Sequence, residues 1–403
     1  MALACQEQGF LSKFFTTFYY KENSFPYRLL GHLDKLGFSN IKVLMKNRSL
    51  DGLDDQHVKS YLLVEVLAKV LAICKRGDPV RYWLAGEVFD KLVSNSLNTC
   101  DVFYGYEDAA LCSIRKAKEL RSITIVEERD LQPLYDEIVR EERKRLGLRN
   151  PTWLQDRKVK NLMERKFLEM ELADYVIVCT DYARDYIISK VGKKPDRVIS
   201  VPLGVDLQRF FRDDTVKKDD SDTLRMLFVG SISIRKGVHY LLEAIGRIDI
   251  RNVQLQLVGP ISPEMKSILR KYSSYCQYVG PKPHSQLVEY YNAADVFVMP
   301  SLIDSFGMAI YEAMACELPV IVTENCGAEI RDNVDGFVIP IRDARALREK
   351  LTLLCENKEL RKEMGRNARE YVKNYTWEKY RQRLVNVLTD IYKRENVQVN
   401  RMV

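Results

Sequence analysis

The sequence has no run of about 18 apolar residues, so no membrane-spanning helix is predicted. Its first ten residues, MALACQEQGF, lack the charged-then-apolar order of a signal peptide. The 9 cysteines stand singly and none forms a C-x-x-C pair, which disfavours a zinc or redox site. We therefore predict buried free thiols in a reducing cytosol, and cytoplasmic localisation.

Histidine is also scarce. The 4 histidines show no metal-binding spacing, and neither G-x-S-x-G nor a Cys/His signature points to a hydrolase. We predict no metal and no cofactor.

The formal net charge is +7, but most basic residues stand beside acids, as in REERKRLGLR at residues 140–149. This pattern is typical of a solvated helix face. No aromatic-basic platform indicates a nucleic-acid partner. The mild excess would suit a negatively charged ligand or peripheral contact with an anionic membrane, such as the inner membrane face.

Strand and helix patterns alternate along most of the chain, which predicts an α/β fold with parallel sheets. The polar segment at residues 211–222 is the best linker, and a fresh α/β pattern follows it. We predict two domains, residues 1–205 and 206–379, with a ligand cleft between them. An amphipathic helix follows at about residues 380–403.

The first candidate site is FVGSISIRKGVHYLLEA, residues 228–244. A strand leads through a loop between Gly230 and Gly237 into a helix, whose free N–H groups would suit a phosphate. Arg235 and Lys236 would add charged hydrogen bonds. A polar turn with two solvated cations explains the loop equally well. His239 either approaches the same phosphate or is a partly exposed helix residue.

The second candidate is PSLIDSFGMAIYEAMA, residues 300–315. A strand again feeds a helix, and the backbone N–H groups of Phe306, Gly307 and Met308 would lie at its start. Asp304 on the loop and Glu312 in the helix are good acceptors for sugar hydroxyls. Each acid taken alone is also explained as an ordinary helix-start or helical residue.

A third stretch, ENCGAEIRDNVDGFVIP at residues 324–340, follows another buried strand. Glu329 there is either a ligand contact or a helix-start acid, and we favour the helix-start interpretation. His284, before a predicted helix start, is interpreted as structural.

Together, the first motif and residues 300–340 strongly resemble the family 4 glycosyltransferases. The resemblance covers nearly all of the carboxyl half and continues more weakly through ELADYVIVCTDYARDYI and VISVPLGVDLQRF. It implies the GT-B fold, in which two Rossmann-like domains face each other across a cleft. It also implies that the last helix packs back on the N-terminal domain.

By this resemblance the C-terminal domain binds a nucleotide-diphosphate sugar, such as a UDP-, GDP- or ADP-sugar. The spacing of DSFGMAIYE matches the paired acidic motif, so Glu312 would bind ribose and Asp304 the transferred sugar. Lys236 falls on the diphosphate-binding lysine. The family retains anomeric configuration and generally needs no metal. Catalytic candidates are Lys236, Arg235 and Asp304. Donor-binding candidates are Gly230, Ser231, Lys236, Phe306, Gly307, Met308 and Glu312.

The acceptor would approach from the N-terminal domain. Two strand ends there, YGYEDAA and VEERD, supply the acceptor-side candidates Tyr104, Gly105, Tyr106, Glu127 and Arg129.

The sequence departs from the family pattern at several positions. Most members have Glu where Asp304 stands, and many have Arg where Ser231 stands; Arg235 would restore that charge. Glu317 replaces a common glycine and is interpreted as a surface change. By the resemblance, the chain is expected to begin inside the family's first helix, so that the family's first strand and its glycine loop would be missing. MALACQEQ is then either a true short start or a misplaced one.

The sequence thus predicts a retaining, hexosyltransferase-like glycosyltransferase acting on an unknown hydroxyl acceptor: a glycan, a lipid-linked sugar or a small molecule. The alternative is a non-catalytic nucleotide-sugar binding or scaffold protein with a partly decayed site. A further rival is an epimerase or phosphorylase of the same fold, although no pyridoxal lysine motif is seen. The oligomeric state is not predicted.

Overall fold

A computed structural model describes residues 1–19, 49–74, 80–130, 132–150, 157–216, 223–247 and 253–401. Residues 217–222 of the predicted linker and residues 402–403 of the predicted last helix lie outside this part of the chain.

The first half of the described chain carries helices and strands in alternation. Its helices are α1 (Ala2–Glu7), α2 (Leu62–Cys74), α3 (Val80–Asn95), α4 (Leu111–Glu119), α5 (Gln132–Arg145), α6 (Arg157–Leu172) and α7 (Asp181–Val191). Its strands are β1 (Phe14–Thr16), β2 (Val58–Ser60), β3 (Val102–Tyr106), β4 (Ile123–Glu128), β5 (Tyr175–Val178) and β6 (Val198–Ser200). Strands β1 and β2 form a separate parallel pair, while β3-β4-β5-β6 form a parallel sheet.

Both faces of the β3–β6 sheet are covered. Successive residues of a strand point to opposite faces, so Val126 and Val176 join one apolar cluster with α4 and α7. Their neighbours Ile125 and Tyr175 join a second cluster on the other face. Helix α7 begins after Thr180, whose hydroxyl accepts a hydrogen bond from the Ala183 N–H at 3.2 Å.

The second half carries the remaining elements. Its strands are β7 (Leu224–Val229), β8 (Val253–Val258), β9 (Cys276–Gly280), β10 (Val296–Met299), β11 (Val320–Thr323) and β12 (Gly336–Ile339). Its helices are α8 (Val238–Gly246), α9 (Pro263–Lys271), α10 (Leu287–Ala293), α11 (Met308–Ala315), α12 (Ala344–Glu356), α13 (Lys358–Val372) and α14 (Trp377–Arg401).

These six strands form one parallel sheet in the order β12-β11-β10-β7-β8-β9. The short apolar runs of β10 and β11 are buried throughout, as expected for strands covered on both faces. The strand order reverses between β7 and β10, and this is the position where doubly wound sheets open a ligand crevice. The α/β prediction with parallel sheets is therefore confirmed.

The chain crosses between the two halves twice, and the two crossings lie side by side. Val205 forms a bridge with Thr376. A Cβ on Gly204 would lie only 2.3 Å from the Trp377 nitrogen, so glycine permits the close approach. Beyond this point α14 returns to the first half, where Tyr380 and Leu384 pack in the cluster with Ile125 and Tyr175. The predicted domain boundaries themselves stay predictions.

None of the described helices has the length and apolarity needed to cross a membrane. The eight cysteines whose side chains are described are all free.

Candidate functional site

The two predicted phosphate and sugar loops lie side by side at the strand-order reversal. One follows β7 and runs to Gly237, and the other follows β10 and runs from Pro300 to Gly307. The Leu302 N–H donates to the Arg235 carbonyl at 2.8 Å and joins them. Gly237 has a φ of 62°, and a Cβ there would lie 1.9 Å from the Pro300 carbonyl oxygen. Glycine at 237 is thus required by its backbone conformation and by the contact.

Three charged side chains meet where the loops touch. Lys236 is only 8% exposed, and its ammonium donates to Oδ2 of Asp304. Arg235 donates to Oδ1 of Asp304 at 3.2 Å and to the Ile303 carbonyl at 3.3 Å. Burial lowers the pKa of Lys236, and the Asp304 carboxylate opposes that effect. A dianionic group placed between the two loops would meet two cations that share one carboxylate.

Glu312 lies in α11 and is only 3% exposed. Its Oε1 lies 2.7 Å from Nε2 of His284, and its Oε2 accepts a hydrogen bond from the Tyr291 hydroxyl at 2.8 Å. Nδ1 of the same histidine lies 2.9 Å from Nη1 of Arg209. The sequence placed Glu312 in a helix but gave no sign of these partners.

The backbone at the start of α11 is partly engaged within the protein. The Gly307 N–H donates to the Gly327 carbonyl, and the Met308 N–H donates to the Phe306 carbonyl, both at 2.9 Å. The Phe306 ring stacks on Tyr311. Two of the three N–H groups expected to face a ligand thus have internal acceptors.

The first residues of the loop after β7 are held by hydrogen bonds that their own backbone groups make. The Gly230 N–H donates to the Val258 carbonyl at 2.9 Å, and the Ser231 carbonyl accepts from the Ser233 hydroxyl at 3.3 Å. Their donor-binding roles, like those of the other predicted site residues, stay predictions.

Four of the acceptor-side candidates form one cluster. Glu127 accepts from the Tyr104 hydroxyl at 2.7 Å and from Nε of Arg129 at 2.6 Å. The Arg129 guanidinium carbon lies 4.9 Å from the centre of the Tyr106 ring. Gly105 stands between Tyr104 and Tyr106 in the sequence of β3 and is buried. Tyr104 also packs against the cluster beneath α14, which gives it a structural role besides any contact with an acceptor.

The opposite face of the same strand ends carries an ion cluster that sequence reasoning missed. Lys166 is only 2% exposed and lies 2.5 Å from a Glu107 oxygen and 2.9 Å from a Glu128 oxygen. Its ammonium also donates to the Asp130 carbonyl at 2.5 Å. The motif VEERD drew attention to residues 127 and 129, but the alternation of strand side chains places Glu128 on the other face.

The two halves contact each other beside the phosphate loop. The Arg235 guanidinium carbon lies 4.8 Å from the centre of the Tyr135 ring, which α5 contributes from the first half. Ile303, next to Asp304, is fully buried in the apolar cluster of the first half. Sequence reasoning singled out neither Tyr135 nor Ile303, because nothing local distinguishes them from ordinary core residues.

Glu142 of α5 makes polar contacts with several side chains of the second half. It is fully buried and accepts hydrogen bonds from His239 at 3.1 Å, Tyr240 at 2.6 Å and Arg342 at 2.7 Å. Burial acts to raise the pKa of Glu142, but these hydrogen bonds outweigh it and lower that pKa to about 2. The interpretation of His239 as partly exposed is wrong, because α5 covers it.

The helix-start interpretation of Glu329 is also wrong. Among the described elements, no helix begins between β11 and β12. Glu329 instead accepts from the Tyr375 hydroxyl at 2.5 Å, and its N–H donates to the Tyr311 hydroxyl at 3.0 Å. Within the described part of the chain, no group of three or more His, Cys, Asp or Glu side chains is placed to hold a metal ion.

Comparisons with known proteins find a family match in the second half of the chain. Residues 210–371 match the family Glycosyl transferases group 1. An uncharacterised glycosyltransferase of Methanocaldococcus jannaschii is 33% identical over 156 residues, which cover 38% of this chain and 44% of that protein. The D-inositol 3-phosphate glycosyltransferase of Saccharomonospora viridis is 28% identical over 243 residues, covering 55% of this chain and 56% of that protein. The chain spans about half the length of these relatives.

Solved structures resemble the chain over most of its length. Sucrose-phosphate synthase of Thermosynechococcus elongatus has a TM-score of 0.61 at 21% identity, covering 83% of this chain and 81% of that one. Anabaena HepE in complex with UDP has a TM-score of 0.59 at 16% identity, covering 93% and 99%. Both likenesses concern the fold. The chain therefore has the GT-B fold, and its residues 210–371 match the family Glycosyl transferases group 1.

Proposed function

We propose that this protein is a retaining glycosyltransferase that moves a sugar from a nucleotide-diphosphate sugar to a hydroxyl acceptor. The observation that carries the proposal is the meeting of Lys236, Arg235 and Asp304 at the strand-order reversal of a group 1 domain. Glu312 lies in the helix that follows the same loop.

The charged groups would act chiefly through preorganised electrostatics. Breaking the sugar–phosphate bond leaves negative charge on the diphosphate, and the buried Lys236 together with Arg235 would stabilise that charge. The diphosphate would replace Asp304 as the partner of Lys236, which frees that carboxylate for sugar hydroxyls. Glu312 would accept hydrogen bonds from the ribose.

Retention belongs to the proposal because of the resemblance to family 4 and because the predicted site has no obvious enzymic nucleophile. The acceptor hydroxyl would then attack from the side of the leaving diphosphate and lose its proton towards the diphosphate oxygens. Neither a cofactor nor a metal is assigned a role in this proposal.

Uridine nucleotides are the first donors to test. HepE is described in complexes with UDP and with UDP-glucose, and we extend this donor class to the present chain as part of the proposal. The acceptor stays open among glycans, lipid-linked sugars and small hydroxyl compounds.

The test measures binding of UDP-, GDP- and ADP-sugars by calorimetry and nucleotide release with and without acceptors. The variant is Lys236→Ala, and Lys271→Ala, an exposed lysine at the end of α9, is the matched control. We expect binding and turnover that Lys236→Ala abolishes and the control preserves. If no donor binds, or if Lys236→Ala behaves as wild type, the proposal fails. Binding without turnover on any acceptor would favour the non-catalytic alternative.

A further inference from the structure

Arg235 receives contacts from both halves of the molecule. From its own half it reaches the Asp304 carboxylate at 3.2 Å and the Ile303 carbonyl at 3.3 Å. From the other half, the Tyr135 ring lies 4.8 Å from its guanidinium carbon. A guanidinium over an aromatic face is a favourable cation–π arrangement.

Tyr135 is itself held firmly in place, so its ring can restrict the movement of a neighbouring side chain. It is only 5% exposed and belongs to the same apolar cluster as Ile303. The loop that carries Asp304 and the ring that faces Arg235 are therefore packed into one core. Arg235, by contrast, keeps 30% of its side chain exposed and has a long flexible stem.

Two like charges on adjacent residues also require such support. Arg235 and Lys236 share one carboxylate and repel each other, so an unsupported Arg235 would gain by turning outward to solvent in the ligand-free protein. An aromatic ring is uncharged and does not compete with a phosphate for the guanidinium. It can therefore hold Arg235 in place in both the free and the bound state.

We propose that Tyr135 is a positioning residue that holds the Arg235 guanidinium beside Lys236, so that both cations face the donor diphosphate. The inference rests on the proposed function. It makes the first half of the chain part of donor binding as well as of acceptor binding, because separating the halves removes the ring from Arg235.

The test is a double-mutant cycle on UDP affinity, measured by calorimetry. We expect Tyr135→Phe to bind within about 2-fold of wild type, and Tyr135→Leu to weaken binding roughly 3- to 30-fold. In the Arg235→Gln background, Tyr135→Leu should cause no further loss. Tyr272→Leu is the control and should bind as wild type, because Tyr272 is a partly buried tyrosine that directly follows α9 and lies beside Gly246 at the end of α8.

If Tyr135→Leu folds poorly, the variant Arg235→Lys tests the same contact from the other side. It retains the charge on a side chain in the loop but loses the flat guanidinium, so we expect a loss similar to that of Tyr135→Leu. Wild-type affinity in Arg235→Lys would overturn the inference. So would full additivity of Tyr135→Leu and Arg235→Gln, because the ring would then act independently of Arg235. A wild-type protein that binds no nucleotide diphosphate would instead reject the proposed function, and this inference with it.

Discussion

Nε2 of His284 lies 2.7 Å from Oε1 of Glu312, so this buried carboxylate is engaged on one side before any ligand arrives. The Tyr291 hydroxyl holds the other oxygen at 2.8 Å. The pair fixes the carboxylate and leaves lone pairs that, in the proposed function, would accept hydrogen bonds from ribose hydroxyls. Preorganisation of this kind lowers the cost of binding.

Replacing Tyr291 with Phe tests this arrangement through stability. Tyr291 is fully buried, so the variant leaves a carboxylate oxygen without its donor. We expect a loss of about 1–3 kcal/mol in the free energy of unfolding, measured by urea titration. Tyr272→Phe, which removes a hydroxyl from a partly buried tyrosine away from Glu312, should change stability little. Equal effects of the two variants would contradict the assigned hydrogen bond.

Replacing Asp304 with Asn tests the exchange proposed at the diphosphate site. The variant leaves the buried Lys236 ammonium without its carboxylate, which we expect to cost about 3–5 kcal/mol in the ligand-free protein. UDP would supply the missing negative charge. The rise in melting temperature on adding UDP should therefore be larger for Asp304→Asn than for wild type.

The control for that experiment is Asp185→Asn, which alters an exposed ion pair with Arg184. It should respond to UDP as wild type does. A UDP-induced rise in Asp304→Asn no larger than in wild type would show that the diphosphate does not take over the role of Asp304.

Replacing Lys166 with Met tests the ion cluster at the ends of β3 and β4, with a defined pH dependence. Burial and the hydrogen bond with Glu107 raise the pKa of Glu128 well above its ordinary value, against the effect of Lys166. Removing the ammonium should cost about 3–5 kcal/mol near pH 7.

The sign of the pH effect follows from proton binding. Without Lys166 the folded state holds protons on these carboxyls at pH values where the unfolded chain has lost them, so stability falls as pH rises. The deficit of Lys166→Met relative to wild type should therefore grow from pH 5 to pH 8 in urea titrations. Lys116→Met, which removes an exposed ion pair with Glu119, should show a small and pH-independent change. A deficit that shrinks with rising pH would reject this account.

Replacing Glu317 with Gly tests a backbone departure from the family pattern. Glu317 has a φ of 58°, a left-handed conformation that costs a side-chain-bearing residue energy. Glycine adopts this conformation without that cost, which would account for the glycine that the resemblance to family 4 implies at this position. After subtracting the entropy cost of glycine, we expect a gain of about 0.5–1 kcal/mol in unfolding free energy.

Glu363→Gly is the matched control, because Glu363 is exposed inside α13. There the same substitution should destabilise by about 1 kcal/mol. Losses of equal size at both positions would show that the positive φ at 317 carries no strain.

The fold could be predicted largely from local patterns. The apolar runs of β10 and β11 are typical of buried strands, and Thr180 is of a residue type that commonly caps a helix. The strand–loop–helix join that carries Asp304 and Glu312 is also present in the structure, where both side chains are buried. These features depend on neighbours within a few residues, so the sequence displays them directly.

Contacts between distant segments could not be predicted in this way. His239 meets Glu142 across 97 positions of sequence, and His284 meets Glu312 across 28. His239 read as an exposed helix residue because helical periodicity does not show which other helix covers a face. From the sequence, Glu329 is interpreted as a helix-start acid because acids are common at the first turn of a helix that follows a strand. In the structure its carboxylate accepts a hydrogen bond from the Tyr375 hydroxyl, which lies beyond α13.

The sequence by itself determined the order of elements, the two loops that end at helices, and the charged residues those loops carry. Hydrophobic periodicity and glycine placement act over a few residues, and that range suffices for such features. Only the tertiary structure decided which charges meet. Lys236 and Arg235 share Asp304 because β7 and β10 are neighbours in the sheet, so the loops that follow them lie side by side. Tyr135 reaches Arg235 because the two halves pack together. Pairings of this kind depend on the whole sheet and on the packing of the halves, which no short stretch of sequence contains.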